Sequence, residues 1–337
     1  MEDNQFLAVV TDFKKTYIIE ETMQHVMPDQ VCVRVESAAI NPNDQLFTMG
    51  YYGDTQYTDL PIGVGFEGSG LIIEVGEDVD QSLLNKKVSF LQQPSMPNFS
   101  GTWRKYIYIQ ADGLATYPDE LGFDSIATIS INPPTVWGFI DITQKQNTKA
   151  IIHDAASSAL GKMLIRIWKK YDITLINIVR RSEQVDILRE EGAVIVIDSS
   201  NDNFEQELKN VINEYQPTVF FDAIGGSFPS QVLSLMPKYS TMYVYGNLSG
   251  EPIQYEAGNL IFKGHNISNF FIWAWIDRLS PEEKSKWFGS IVDDINSGGE
   301  VFGSKISKTF KLGDFETAMK YAKEHASSGK VILKPQL

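Results

Sequence analysis

The chain reads as an α/β protein of two domains, a compact β-rich one followed by a doubly wound parallel-sheet one. Three observations predict this. Up to about residue 120, short β-forming runs are separated by Gly and Pro; from about residue 150, apolar strands alternate with helical patterns; and 43% of the 337 residues are apolar, enough for each domain to bury a core.

Taken in order, residues 31–35, 70–75, 87–91 and 103–109 alternate or cluster β-formers and read as the strands of the first domain. Cys32, the only cysteine, lies in the alternating run Val31-Cys32-Val33-Arg34-Val35, so a packed thiol is expected there and an intramolecular disulfide is impossible. Residues 150–152 form a short buried strand, and Leu160, Met163, Leu164, Ile167 and Trp168 then recur at helical spacing. A strand over 174–179, a helix over 184–191, a strand over 193–197, a helix over 204–215 and strands over 218–221 and 241–245 follow. Apolar strands alternating with helices of this length imply a parallel sheet covered on both faces. The remainder holds an aromatic cluster over 270–275, a polar helix after Pro281 and a strand-like run over 330–333. Because the central sheet is complete without it, the tail is expected to return to the first domain.

Charge excludes several classes of partner. With 29 Lys and Arg against 43 Asp and Glu, the net charge of -14 and the lack of a long basic run argue against nucleic acid and anionic membrane surfaces. No apolar run approaches the ~20 residues of a membrane helix. The start, Met1-Glu2-Asp3-Asn4, has neither a secretory signal nor an Arg-rich presequence. A cytoplasmic location is therefore expected, a mitochondrial one only for a processed form. The four histidines, His25, His153, His265 and His325, are scattered and fit no zinc pattern; they are read as ordinary surface or core residues.

The chemistry concentrates at the turns that end the parallel strands. After the first comes His153-Asp154-Ala155-Ala156-Ser157-Ser158-Ala159-Leu160-Gly161. Small side chains at a strand-to-helix turn let backbone amides approach a pyrophosphate, although Ala or Ser replaces the first two glycines of the usual fingerprint. After the second strand comes Arg180-Arg181-Ser182, where an NAD enzyme carries an acid for the ribose 2′-hydroxyl. Two guanidiniums suit a 2′-phosphate, so NADPH is expected over NADH. Two later strand ends, Phe221-Asp222-Ala223-Ile224-Gly225-Gly226 and Val244-Tyr245-Gly246-Asn247, share this ligand-binding edge. In the first domain, Asn41-Pro42-Asn43-Asp44 and Gly50-Tyr51-Tyr52-Gly53 supply hydrogen-bonding groups, and a tyrosine near a nicotinamide suits proton delivery beside a carbonyl. Nothing in the spacing pairs the two carboxyls Asp44 and Glu67. A nucleophile elbow and a phosphate-binding P-loop are both absent from the sequence, which disfavours hydrolases and nucleotide triphosphatases.

Asn41-Pro42-Asn43-Asp44, residues 61–70 (PIGVGFEGSG), Ile131-Asn132-Pro133-Pro134-Thr135 and the turn from Ala155 to Gly161 together resemble, in order and over nearly the whole chain, the zinc-free medium-chain dehydrogenase/reductase superfamily. Gly101-Thr102-Trp103-Arg104, Ile176-Asn177-Ile178-Val179-Arg180, Thr241-Met242-Tyr243-Val244-Tyr245-Gly246, Leu260-Ile261-Phe262-Lys263 and the aromatic run ending at Trp275 resemble its 2-enoyl thioester reductases. The resemblance implies a GroES-like catalytic domain over 1–122 plus 275–337 and a Rossmann NADP-binding domain over 123–274. It places the proton donor on Tyr52 and Asn132 near the nicotinamide. It sets Ser157, Ser158, Ala159, Leu160 and Gly161 around the pyrophosphate, and Arg180, Arg181 and Ser182 on the 2′-phosphate. Tyr245, Gly246, Asn247 and Leu248, then Phe270, Phe271, Ile272 and Lys330, complete the implied cofactor cleft. Where zinc-dependent relatives carry Cys and a His before Glu, this chain has Asn41 and Phe66-Glu67, so no catalytic zinc is expected. Lys162 stands where a glutamine is usual, and Trp137 near a usual tyrosine.

The expected function is NADPH-dependent reduction of an activated C=C bond in a small-molecule substrate, an enoyl thioester, by a homodimer. Two alternatives stand beside it: an NADPH quinone oxidoreductase, and a non-catalytic cofactor-binding subunit of a larger assembly.

Overall fold

The computed structural model describes residues 5–51, 60–94, 96, 99–112 and 114–337. Its contacts divide the chain into two units, Met1–Asn132 with Phe288–Leu337, and Pro133–Trp287. The division falls beyond residues 122 and 274, the expected bounds. The reason at the first is visible: Ser69 Oγ donates to the Phe123 carbonyl at 2.7 Å and Ser37 Oγ to Asp124 at 2.6 Å, tying the helix Phe123–Ile126 to the strands of the first unit.

In the first unit the main sheet runs Ile306–Lys311, Lys330–Lys334, Gln30–Ile40, Glu67–Val75, Lys87–Leu91 and Thr116–Tyr117, with Tyr106–Gln110 also paired to Gln30–Ile40. A smaller sheet joins Thr16–Thr22, Gln5–Thr11 and Ile62–Gly63. The tail thus returns to this unit, its last strand pairing antiparallel with the long strand Gln30–Ile40. Strand alternation buries Val31, Val33 and Val35 with Ile72, Val88, Ile107 and Trp103 in one core, where the Trp103 indole donates to the Ala39 carbonyl at 3.2 Å. Cys32 is buried as well, and burial pushes its thiol up to about 12, the condition of an inert packed thiol.

The second unit is built on a six-stranded sheet, all parallel. From edge to edge it runs Ile195–Asp198, Thr174–Val179, Ala150–His153, Val219–Asp222, Thr241–Val244 and Asn266–Asn269. In chain order this is third, second, first, fourth, fifth, sixth, the order of dinucleotide-binding sheets with a switch point between first and fourth strands. Period-two alternation explains the two covered faces. Ile176 and Ile178 pack with residues of the helices Phe204–Tyr215 and Phe228–Leu235, whereas Leu175 and Val179 pack with Ile165 and Leu188 of the helices Ala159–Trp168 and Glu183–Glu190. The sixth strand ends just before Phe270 at the edge of the sheet, and the aromatic run 270–275 mostly enters a helix, Ile272–Arg278.

Candidate functional site

The turn after the first parallel strand is shaped by backbone constraints. Ala155 adopts a left-handed conformation at φ 47°, and the Ser158 amide closes the turn on the Ala155 carbonyl at 3.0 Å. Ser158 then caps the helix Ala159–Trp168, its Oγ accepting from the Gly161 amide at 3.1 Å. A side chain at position 161 would place a Cβ 2.1 Å from the Ala156 carbonyl oxygen, so the single glycine kept from the fingerprint is fixed by close packing of helix on turn. Ser157 and Leu160 are buried, Ser158 and Ala159 half-buried. The result is a helix N-terminus, with its unpaired amides and partial positive charge, facing a turn of small residues.

Beside it, the second strand ends at Val179, and Arg180, Arg181 and Ser182 are all exposed. Among the described residues no acceptor meets the Arg180 guanidinium, which leaves its fork available to an anion. Ser182 is engaged: its Oγ donates to Asp198 at 2.9 Å. Burial raises the Asp198 carboxyl, but donors from Ser200 and Ser182 outweigh it and hold the group below the usual range.

The two remaining strand ends interlock. The Tyr245 amide donates to the Asp222 carbonyl at 2.9 Å, and those of Leu248 and Ser249 to the carbonyls of Ala223 and Ile224 at 3.0 and 2.8 Å. Gly225 and Gly226, both at φ 70°, permit this close pairing of loops. The Tyr245 hydroxyl meets His153 Nε2 at 2.7 Å, while burial holds His153 neutral, down to about 3. Phe270 is buried against Phe139 at a centroid distance of 5.0 Å, Phe271 is exposed, and Ile272 begins the next helix.

A second polar cluster lies within the β-rich unit. Glu67, fully buried at the start of its strand, accepts from Asn41 Nδ2 at 2.9 Å, from Lys330 Nζ at 3.2 Å and from the amides of Ser130 and Ile131 at 3.0 and 3.1 Å. Lys330 also donates to Asn41 Oδ1, so its ammonium, expected at the cofactor, is held here among buried partners. Glu67 thereby fixes the backbone immediately before Asn132, which heads the helix Asn132–Lys145. Asp44 accepts from the Asn41 amide at 2.6 Å, and burial pushes its carboxyl up to about 8. Spacing does not pair Asp44 with Glu67; in the fold Asn41 joins them, with its main chain on one and its side-chain amide on the other.

Tyr52, the expected proton donor, lies outside the described residues, whereas Tyr51 is described and exposed. Among the described residues no three His, Cys, Asp or Glu side chains gather to hold a metal ion. Sequence reasoning passed over Asp154, Asp222 and the role of His153. The available signal was an aspartate at the end of two adjacent central strands, in Ile152-His153-Asp154 and Phe221-Asp222.

Comparison with known proteins matches residues 27–119 to the family model of the alcohol dehydrogenase GroES-like domain, and residues 159–283 to that of zinc-binding dehydrogenases. The chain is 27% identical to the mitochondrial enoyl-acyl-carrier-protein reductase of Dictyostelium discoideum over 325 residues, 94% of this chain and 90% of that one. It is 27% identical to the human protein of the same name over 91% of this chain and 82% of the other. Among solved structures, one described as an NADPH:quinone reductase from Mesorhizobium loti superposes at a TM-score of 0.86, with 26% identity over 99% of this chain and 100% of that one.

Proposed function

The chain belongs to the medium-chain dehydrogenase/reductase superfamily, and from that premise we propose that it is an NADPH-dependent reductase of an activated C=C bond, most like a 2-enoyl thioester reductase. The observation that carries the cofactor is the exposed Arg180 fork, without an acceptor among the described residues, beside the Ser158-capped helix N-terminus. Together they offer a cationic site for a 2′-phosphate next to backbone donors for a pyrophosphate, so the residues present fit the group. The enoyl substrate is supported by the names of the relatives matched over most of the chain.

When bound, the reduced nicotinamide supplies a hydride for the β-carbon. The chain's own part is to bind, orient and protonate. Ser157, Ser158, Ala159, Leu160 and Gly161 hold the pyrophosphate; Arg180, with Arg181 and Ser182, holds the 2′-phosphate. Gly246, Asn247 and Leu248 border the cleft along with Phe271 and Ile272, while Tyr245 and Phe270 support it from beneath. Asn132 orients the nicotinamide, and Glu67, Asn41 and Lys330 fix the segment that presents it. Tyr52 delivers a proton to the α-carbon. The metal-free reading rests on Asn41 and Phe66 standing where zinc enzymes carry ligands. The homodimer would form by pairing of Asn266–Asn269, the edge strand of the parallel sheet among the described residues, with a second copy; Ile261 and Phe262, exposed on the preceding helix, add apolar surface that supports this. Among the described residues no helix is long and apolar enough to cross a membrane. The cytoplasm is proposed as its location; the relatives' mitochondrial names make organelle fractionation the check.

The test is fluorescence titration with NADPH and NADH, followed by NADPH oxidation with crotonyl thioester and with a simple quinone. NADPH preference with enoyl turnover that Tyr52→Phe abolishes is the expected result. Quinone turnover alone, indifferent to Tyr52→Phe, would establish the quinone reading that the Mesorhizobium structure favours. Binding without turnover would leave a non-catalytic subunit.

A further inference from the structure

Directly beneath the dinucleotide turn, at the switch point of the sheet, two aspartates meet. Asp154 follows the first strand and Asp222 ends the fourth; these strands are neighbours with Phe221 paired to His153, which sets the two aspartates side by side. Both are fully buried. Asp154 Oδ1 accepts from the Ala223 amide at 2.8 Å, and Asp222 Oδ1 from those of Ile224 and Gly225 at 2.8 and 3.1 Å. Asp154 Oδ2 is buried with no hydrogen-bond partner among the described residues, and the carboxyl beside it is that of Asp222. Two ionised carboxylates are acceptors only, so a hydrogen bond between them needs a proton.

Among the described residues no cation bears on the charge of either carboxyl. From the first and fifth strands it is faced by His153 and Tyr245, bonded to each other and both neutral through burial. The helix Ala159–Trp168 carries Lys162 and Arg166, Arg166 lying 3.6 Å from Glu191; the helix Asn132–Lys145 carries Asp141 and Lys145, paired at 2.8 Å. Arg180 at the end of the second strand is exposed, and Asp198 of the third is bonded to Ser182 and Ser200. Burial above all, then the neighbouring carboxyl, raises Asp154 well above the ordinary range, and burial raises Asp222.

We propose that Asp154 and Asp222 share one proton, that this proton holds the turns after the first and fourth strands together, and that the site binds the anionic dinucleotide only while the proton is in place. The inference rests on the NADPH reading and deepens it into a regulation of that site. Protonated, Asp154 donates from Oδ2 to Asp222 and keeps Oδ1 for the Ala223 amide, so both loops of the cradle stay fixed. Loss of the proton places a second buried charge one residue from Ala155, against the pyrophosphate, and breaks the bond between the loops. Asp154 and Asp222 are positioning residues, acting through the turns rather than on the cofactor.

The experiment measures two properties of the full chain, as wild type, Asp154→Asn and Asp222→Asn. An asparagine at 154 donates permanently toward Asp222 and cannot ionise. Without cofactor, Asp154→Asn should melt above wild type at about pH 9 but not at about pH 5; equal melting at both would overturn the shared proton. With NADPH, wild-type affinity should fall by up to about tenfold per pH unit once the pair ionises, while Asp154→Asn stays flat over the same range. Parallel wild-type and Asp154→Asn curves would overturn the coupling. Should Asp154→Asn fail to fold, Asp222→Asn gives the same two readings, since it too removes one ionisable member. Absence of NADPH binding to every variant at every pH, with the melting difference intact, would sink the NADPH reading and with it the coupling, yet keep the shared proton.

Discussion

Both units bury acidic side chains without solvent, and they solve the problem in opposite ways. Glu67 in the β-rich unit is surrounded by donors: an ammonium, a carboxamide and two backbone amides. Among the described residues, Asp154 and Asp222 in the parallel unit accept from backbone amides and otherwise face each other. Burial is equal, so burial alone does not decide whether a carboxyl is charged. The donor set decides it. Asp44, which accepts from the Asn41 amide and whose Oδ1 has no partner among the described residues, is raised by burial like the aspartates of the parallel unit although Asn41 links it to Glu67.

The largest way to break this comparison is to remove the cation. Lys330→Met should leave Glu67 as an uncompensated buried charge and cost about 3–5 kcal/mol of stability in urea unfolding, with Glu67→Gln restoring part of it. A loss below about 1 kcal/mol would mean that the carboxamide and amides suffice. Next comes Asp44. Its folded value near 8 lies above the ordinary carboxyl range, so the native state binds the extra proton and stability present at about pH 4 is lost as pH rises to about 8. Wild type should lose on the order of 2–4 kcal/mol over that window, and Asp44→Asn should lose far less. A flat wild-type profile would overturn the raised Asp44 carboxyl. Arg180→Ala sharpens the contrast from the cationic side: NADPH affinity should drop about 10–100-fold and NADH affinity by less than about twofold. Equal losses for both cofactors would remove Arg180 from the 2′-phosphate. The smallest effect belongs to the helix cap, where Ser158→Ala should cost about 1 kcal/mol in thermal unfolding.

Much of this was legible in the residues. Strand–helix alternation from residue 150 onward carries the parallel sheet, because apolar strands with no polar alternation have nowhere to go but between two helical layers. The strand Asn266–Asn269 was not, since Ile267 is its only apolar residue; it takes its strand form from pairing with Thr241–Val244. In the site, the small-residue turn and Arg180 were readable because their chemistry is local. Tyr245 was read as a cofactor contact, yet its hydroxyl turns to His153, a partner 92 positions away in the chain. The Asp154–Asp222 pair escaped for the same reason: neither aspartate is unusual until the sheet brings their strands together.

Gly161 carries a consequence for how such turns diverge. Ala156 and Ser158 show that the first two fingerprint glycines can be exchanged while the backbone holds its path, whereas the Ala156 carbonyl occupies the space of any side chain at 161. The three positions of one motif therefore drift at different rates. In a saturation library across residues 155–161, tolerance should be broad at 156 and 158 and collapse at 161, and a search pattern demanding all three glycines would discard chains that kept the one the packing requires.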